Sequence, residues 1–203
     1  MSQYKFPQIY NFPPFFTKQP NEQTWQAQLN NWIQLILSYC KANKVWILNN
    51  KGEALSQGNI EDLEESITSL SINQDDGISK DGIFVNNKIQ RRLEPQVINE
   101  IFQQMVKNND AFYITKKDQS SVFINFYRPE DWASMILEWI ESTGQNGTVL
   151  TMYEISQGDL SLNKEFHGIH PVILETALNV LVKRSRAQLL KDEDGKIAGV
   201  KIV

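Results

Sequence analysis

The chain has a single cysteine in 203 residues, so no disulfide forms within it and bridge-stapled scaffolds are excluded. Histidine is scarce too. His167 and His170 lie beside Glu165, and a metal centre needs more ligands than these held in geometry. No stretch approaches the roughly 18–20 apolar residues that span a bilayer, and no basic-then-apolar segment opens the chain, which makes a cytosolic location the expectation. A basic excess is also missing. Net charge is −4, and residues 50–82 set Glu53, Glu61, Asp62, Glu64, Glu65, Asp75, Asp76 and Asp81 against only Lys51 and Lys80. That tract carries −6, which leaves −4 − (−6) = +2 on the remainder, far from the balance of a duplex-binding module.

What the chain does have is the same pattern written twice, from Pro95 to Phe126 and from Pro171 to Ile202, at an offset of 171 − 95 = 76. Val97 matches Ile173, Ile98 matches Leu174, Phe102 matches Leu178, Met105 matches Leu181 and Ala111 matches Ala187. Past polar gaps at Asp118 and Asp194, Ile124 matches Val200 and Phe126 matches Ile202. Apolar spacing of three and four gives way to alternation in each copy, so each predicts an amphipathic helix running into a β-hairpin. Upstream, a helix over 21–43 with Leu29, Trp32, Ile33, Ile36, Leu37 and Cys40 on one stripe leads to a strand at 45–48. A second helix from Pro129, with Trp132, Met135, Ile136, Trp139 and Ile140, leads to a strand at 148–151. Matching Ile33 to Ile136 and Leu37 to Ile140 gives an offset of 103, so the first copy carries 103 − 76 = 27 extra residues, supplied by the acidic tract. Each copy then reads helix, strand, short helix, helix, hairpin, which is the winged-helix arrangement. The expected organisation is α+β: an extended arm over 1–20, one winged helix over 21–127 with an acidic insertion at about 56–82, and a second over 128–203.

The arm is distinct. Four of the seven prolines (Pro7, Pro13, Pro14, Pro20) are interleaved there with Tyr4, Phe6, Tyr10, Phe12, Phe15 and Phe16. Proline at that density forbids a helix and biases the backbone to an extended or polyproline form. Solvated tails are poor in aromatics, so these rings either fold back on their own domain or enter a partner. Phe12-Pro13-Pro14-Phe15-Phe16 has the stiff backbone and bulky anchors that favour the second course.

Other features have plainer readings. Cys40 lies on an apolar face and reads as a buried structural thiol. Glu130 and Asp131 sit at a helix start, where the dipole favours acids. Gly144 and Gly147 flank Gln145-Asn146 in a turn that lacks a phosphate-loop lysine. A nucleic-acid-binding winged helix is the alternative function. It requires basic residues around the last helix, yet Glu94, Glu100 and Glu175 stand there, Lys183, Arg184 and Arg186 gather at the far end, and Asp192, Glu193 and Asp194 occupy the wing of the second copy that corresponds to a Lys116-Lys117 wing in the first.

The chain resembles the small, two-copy subunit of ESCRT-II, the endosomal sorting complex. The resemblance rests on Phe12-Pro13-Pro14-Phe15-Phe16-Thr17, Gln19-Pro20-Asn21, Asn86 to Arg91, Trp132, Ser142 to Gly144, Leu150 to Glu154 and Glu165-Phe166-His167-Gly168. It implies a non-enzymatic scaffold without cofactor or metal, peripheral to the endosome membrane, that sorts ubiquitinated membrane proteins in the multivesicular body pathway. It further implies partner docking through Phe12, Pro13, Pro14, Phe15 and Phe16, with Pro7 and Tyr10 as remnants of an upstream motif. Arg91 or Arg92 would supply a charged contact to two larger winged-helix subunits. An ESCRT-III subunit would bind the second domain near Val149 and Tyr153. Membrane contact would be indirect and no specific nucleic acid is implied.

Overall fold

Residues 4–55, 82–115 and 119–203 are described by a computed structural model. The first long helix, α1 (Glu22–Asn43), starts where the Asn21 side chain accepts the Thr24 amide proton at 3.0 Å. It stops where Lys44 turns left-handed and Val45 N–H reaches back to the Cys40 carbonyl at 2.9 Å. Trp25, Leu29, Trp32, Ile33, Ile36 and Cys40 form its buried stripe. Strand β1 (Ile47–Asn49) follows, then β2 (Ala54–Leu55), a short hairpin β3 (Val85–Asn86) with β4 (Arg91–Arg92), helix α2 (Pro95–Lys107) and the hairpin β5 (Ala111–Tyr113) with β6 (Ser121–Ile124). The sheet order is β2-β1-β6-β5. The chain divides into two units, Met1–Phe126 and Tyr127–Val203.

The second unit comprises α3 (Pro129–Ser142), β7 (Val149–Thr151), α4 (Met152–Gln157), a 3-10 turn at Asp159–Ser161, α5 (Pro171–Lys183), β8 (Ala187–Lys191) and β9 (Ile197–Ile202), with sheet order β7-β9-β8. Thr151 and Glu154 form a reciprocal cap on α4, at 3.1 and 2.7 Å. Hydrogen bonds from the backbone and hydroxyl of Thr151 hold the Glu154 carboxyl below its ordinary range. His170 caps α5, its Nδ1 accepting from Val172 N–H. In the β8–β9 turn, Asp192 Oδ1 accepts from the Asp194 and Lys196 amides, with Gly195 at φ 79°. Both units are winged helices of α+β class.

The repeat is real, but two of its registers differ from the sequence reading. The final turns of α1 and α3 close with equivalent bonds, Val45 N–H to Cys40 and Gln145 N–H to Ile140, so the helix offset is 140 − 40 = 100 rather than 103. Trp32 then matches Trp132 and Ile36 matches Ile136, all fully buried. Residues three apart share a helical stripe, so periodicity alone does not separate 100 from 103. In the wings, Ala111 pairs with Ile124 and Ala187 with Ile202, so the last strand is offset by 202 − 124 = 78. A slip of two keeps every side chain on its face and leaves alternation intact. The matches of Ile124 to Val200 and Phe126 to Ile202 are therefore corrected. The offset of 76 holds through the left-handed residues Asn109 and Ser185, which end the two last helices.

The acidic insertion expected at about 56–82 lies, but for residue 82, outside the described residues, and Lys116 and Lys117 lie outside them too. Residue 82, counted in the insertion from sequence, belongs to the fold. A Cβ on Gly82 would lie 2.7 Å from the Gly52 carbonyl, and one on Gly52 would lie 2.8 Å from the Phe84 ring. Both glycines have positive φ, and only glycine permits backbones this close.

Candidate docking surface

The arm is neither extended nor separate from the first domain. It forms two consecutive 3-10 turns, Gln8–Asn11 and Pro13–Phe16. Proline suits both: Pro7 precedes the first, Pro13 and Pro14 open the second, and the ring-fixed φ near −65° lies in the 3-10 range. The arm runs antiparallel to α1. Tyr4 reaches Ser38 Oγ (2.6 Å) and meets Tyr39 edge-on, Phe15 stacks on Trp32 with centroids 4.3 Å apart and planes 5° from parallel, and Lys18 Nζ sits over Trp25 while pairing with Glu100 at 2.6 Å. Phe16 meets the Trp32 edge at 5.3 Å. Burial pushes the hydroxyl of Tyr39 up to about 12, with Cys40 and Tyr4 adding to it, and burial also raises Tyr10 and the inert Cys40 thiol.

Phe15, Phe16 and Tyr10, expected from the sequence as partner anchors, are packed inward in their own unit. Phe15 and Phe16 are each 2% exposed in their own unit. The Tyr10 hydroxyl donates between the Val85 and Ile83 carbonyls (2.8 and 3.0 Å), while Asn86 Nδ2 donates to the Tyr10 carbonyl at 2.7 Å. Apolar stacking and satisfied hydrogen bonds both hold these rings inward, because the exposed face of α1 would otherwise leave Trp32 bare. Phe12 behaves oppositely. Its backbone is fixed at both ends, by Phe12 N–H to Ile9 and Phe15 N–H to Phe12, yet its ring is 58% exposed. Pro7, Pro13 and Pro14 are exposed as well. An open groove of about 540 Å³ lies alongside, lined by Tyr4, Phe6, Tyr10 and Asn86 with Lys5 and Lys88.

Arg91 and Arg92 occupy β4 and are exposed; neither forms an ion pair with another described residue. In the second unit, Val149 and Tyr153 are 51% and 69% exposed, and Leu160 and Leu162 add exposed apolar surface that sequence periodicity did not single out. A small cavity of about 120 Å³ brings Leu160 beside Trp139, Leu150 and Glu154. The signal for the two leucines was their position outside any amphipathic repeat. His167 Nδ1 and Ser161 Oγ are 2.9 Å apart, but the serine is fully buried and its hydroxyl also reaches the Gly158 carbonyl, a loop-fastening arrangement. Among the described residues no group of three metal-ligating side chains occurs, and no helix is long and apolar enough to cross a membrane.

Two winged helices, the first completed by its own N-terminal arm, define a tandem winged-helix protein. The family described as ESCRT-II complex subunit matches residues 9–170. Vacuolar protein-sorting-associated protein 25 of Saccharomyces cerevisiae is 36% identical across 97% of this chain and 98% of its own length. The Homo sapiens protein of that name is 32% identical over 98% and 97%. The crystal structure of subunit VPS25 of the endosomal trafficking complex ESCRT-II superposes with TM-score 0.78 at 32% identity, covering 97% of this chain and 98% of that one. A chain in the crystal structure of endosomal complex ESCRT-II (VPS22/VPS25/VPS36) gives 0.74 at 33% identity, with the same coverage. The chain belongs to the ESCRT-II complex subunit family, a non-catalytic component of vacuolar protein sorting.

Proposed function

We propose that this chain is an assembly subunit that docks on larger winged-helix subunits of the VPS22 and VPS36 kind, two copies to a complex, and that its second unit recruits an ESCRT-III subunit. The complex would act at the endosome membrane, held there by its partners, in sorting ubiquitinated membrane proteins into multivesicular bodies. The observation that carries the reading is Phe12: a large ring 58% exposed on a fixed backbone, flanked by exposed Pro13 and Pro14. Burying such a ring contributes roughly 1.5–3 kcal/mol, and little ordering cost is left to offset it. Pro7 and the paired Arg91 and Arg92 extend the same docking role; Val149 and Tyr153, with Leu160 and Leu162, are the corresponding face of the second unit. Two copies would double the recruiting surfaces and raise local concentration without new contacts.

The test is co-purification of the full chain with the two larger subunits. Phe12→Ala with Pro13→Ala is expected to lower their affinity by at least tenfold at unchanged chain stability. Undiminished assembly by that variant would dispose of the reading.

A further inference from the structure

The ridge of Phe12, Pro13 and Pro14 does not hold its own shape; α1 holds it. Trp32 Nε1–H donates to the Phe15 carbonyl at 3.0 Å, and the Gln28 side-chain amide donates to the same carbonyl at 2.6 Å and to the Thr17 carbonyl at 3.1 Å. Gln28 is 6% exposed, and both of its amide protons go to arm backbone while its own buried Oε1 has no partner among the described residues. A glutamine buried at the cost of an unpaired oxygen is a poor choice for core filling; leucine would pack there without that cost. What glutamine supplies is a fork across the second 3-10 turn, from Phe15 to Thr17. That turn includes Pro13 and Pro14 and fixes Phe12 through Phe15 N–H. A 3-10 turn of four residues has little stability alone, and more than half of the Phe12 side chain is exposed.

We infer that Gln28 and Trp32 are positioning residues for docking: their donor fork sets the arm's second turn and thereby aims Phe12, Pro13 and Pro14 at the partner. This rests on the docking reading above and adds the regulation of that site by α1. The chain meets its partner with the ridge already formed, so the ordering entropy of the arm is not charged to binding. Removing the fork leaves each carbonyl one donor: Phe15 keeps Trp32, and Thr17 keeps Gln19 Nε2 at 2.8 Å. Gln28→Leu therefore spares the fold while loosening the ridge.

The experiment measures three quantities on the full chain for Gln28→Leu, Trp32→Phe and Phe12→Ala: affinity for a purified complex of the two larger subunits, unfolding midpoint, and hydrogen exchange at the Phe15 and Thr17 amides. Gln28→Leu is expected to bind about tenfold more weakly and to exchange faster at both amides, with its midpoint unchanged. Trp32→Phe, which removes the indole donor together with part of the stacked ring system, gives a second reading in which the exchange and affinity changes are set against any drop in its midpoint. Faster exchange with native affinity in these variants would overturn the inference, because an ordered arm would then be irrelevant to binding; unchanged exchange would overturn it equally. If Phe12→Ala also binds with native affinity, the docking reading itself falls. Loss of binding in Phe12→Ala alone retires only the role of the fork.

Discussion

The two units solve one packing problem differently. Each places a tryptophan at the centre of its first helix, Trp32 and Trp132, both essentially inaccessible. The second unit covers its tryptophans from the segments that flank its helices: Tyr127, just before α3, meets Trp132 at 4.8 Å, and Phe166, from the loop before α5, meets Trp139 at 5.3 Å. The first unit takes Phe84 from the far side of its insertion and Tyr10, Phe15 and Phe16 from the arm. The arm is thus part of the core of its own unit, with Phe12 and its prolines on the outer edge. A segment rich in aromatics and proline is informative about burial but not about whose surface does the burying.

That contrast is open to attack. The largest expected effect is on the first unit: Phe15→Ala should cost about 3–5 kcal/mol, as for other buried aromatics, while Phe12→Ala stays within about 0.5 kcal/mol. Urea unfolding of the two variants gives the comparison. Equal, small costs would mean that the arm is not core.

The next effect belongs to the second unit. Burial depresses His170 to about 4 from an ordinary 6.5, whereas Glu94 stands at the matching position of the first unit (94 + 76 = 170). The unfolded chain takes up a proton near 6.5 and the folded chain only near 4. The stabilisation is therefore complete above pH 6.5 and is lost as pH falls towards 4, by on the order of 2 kcal/mol. Thermal unfolding monitored from pH 7 to 4 should show this loss, and His170→Asn should flatten it.

Smaller still are the caps. Asn21→Ala and Thr151→Ala should each remove about 1 kcal/mol from their own unit, read by urea midpoints. Glu141→Gln, which breaks the exposed 2.6 Å pair with Arg186, should change stability by less than about 0.5 kcal/mol.

Much of this was legible beforehand. The helices at 21–43, 129 onward and 171 onward, the hairpin around Asp194 and the doubled plan follow from residue spacing alone. The misreadings share a cause. A three-residue error on a helix and a two-residue error on a strand each return side chains to the same face, so hydrophobic pattern is blind to them and only hydrogen-bond register separates the alternatives. Strands β2, β3 and β4, two residues each, are too short to show alternation at all. The division of the arm into inward Phe15 and outward Phe12 depends on the 3-10 turn and on donors from Gln28 and Trp32, which come from the next element of the chain.

The most direct test is nuclear Overhauser spectroscopy of the free full-length chain. Phe15 lying flat on Trp32 at 4.3 Å predicts strong contacts between the two rings and upfield-shifted Phe15 ring protons, alongside a Phe12 ring with near random-coil shifts. Random-coil shifts at Phe15 with no contact to Trp32 would contradict the account.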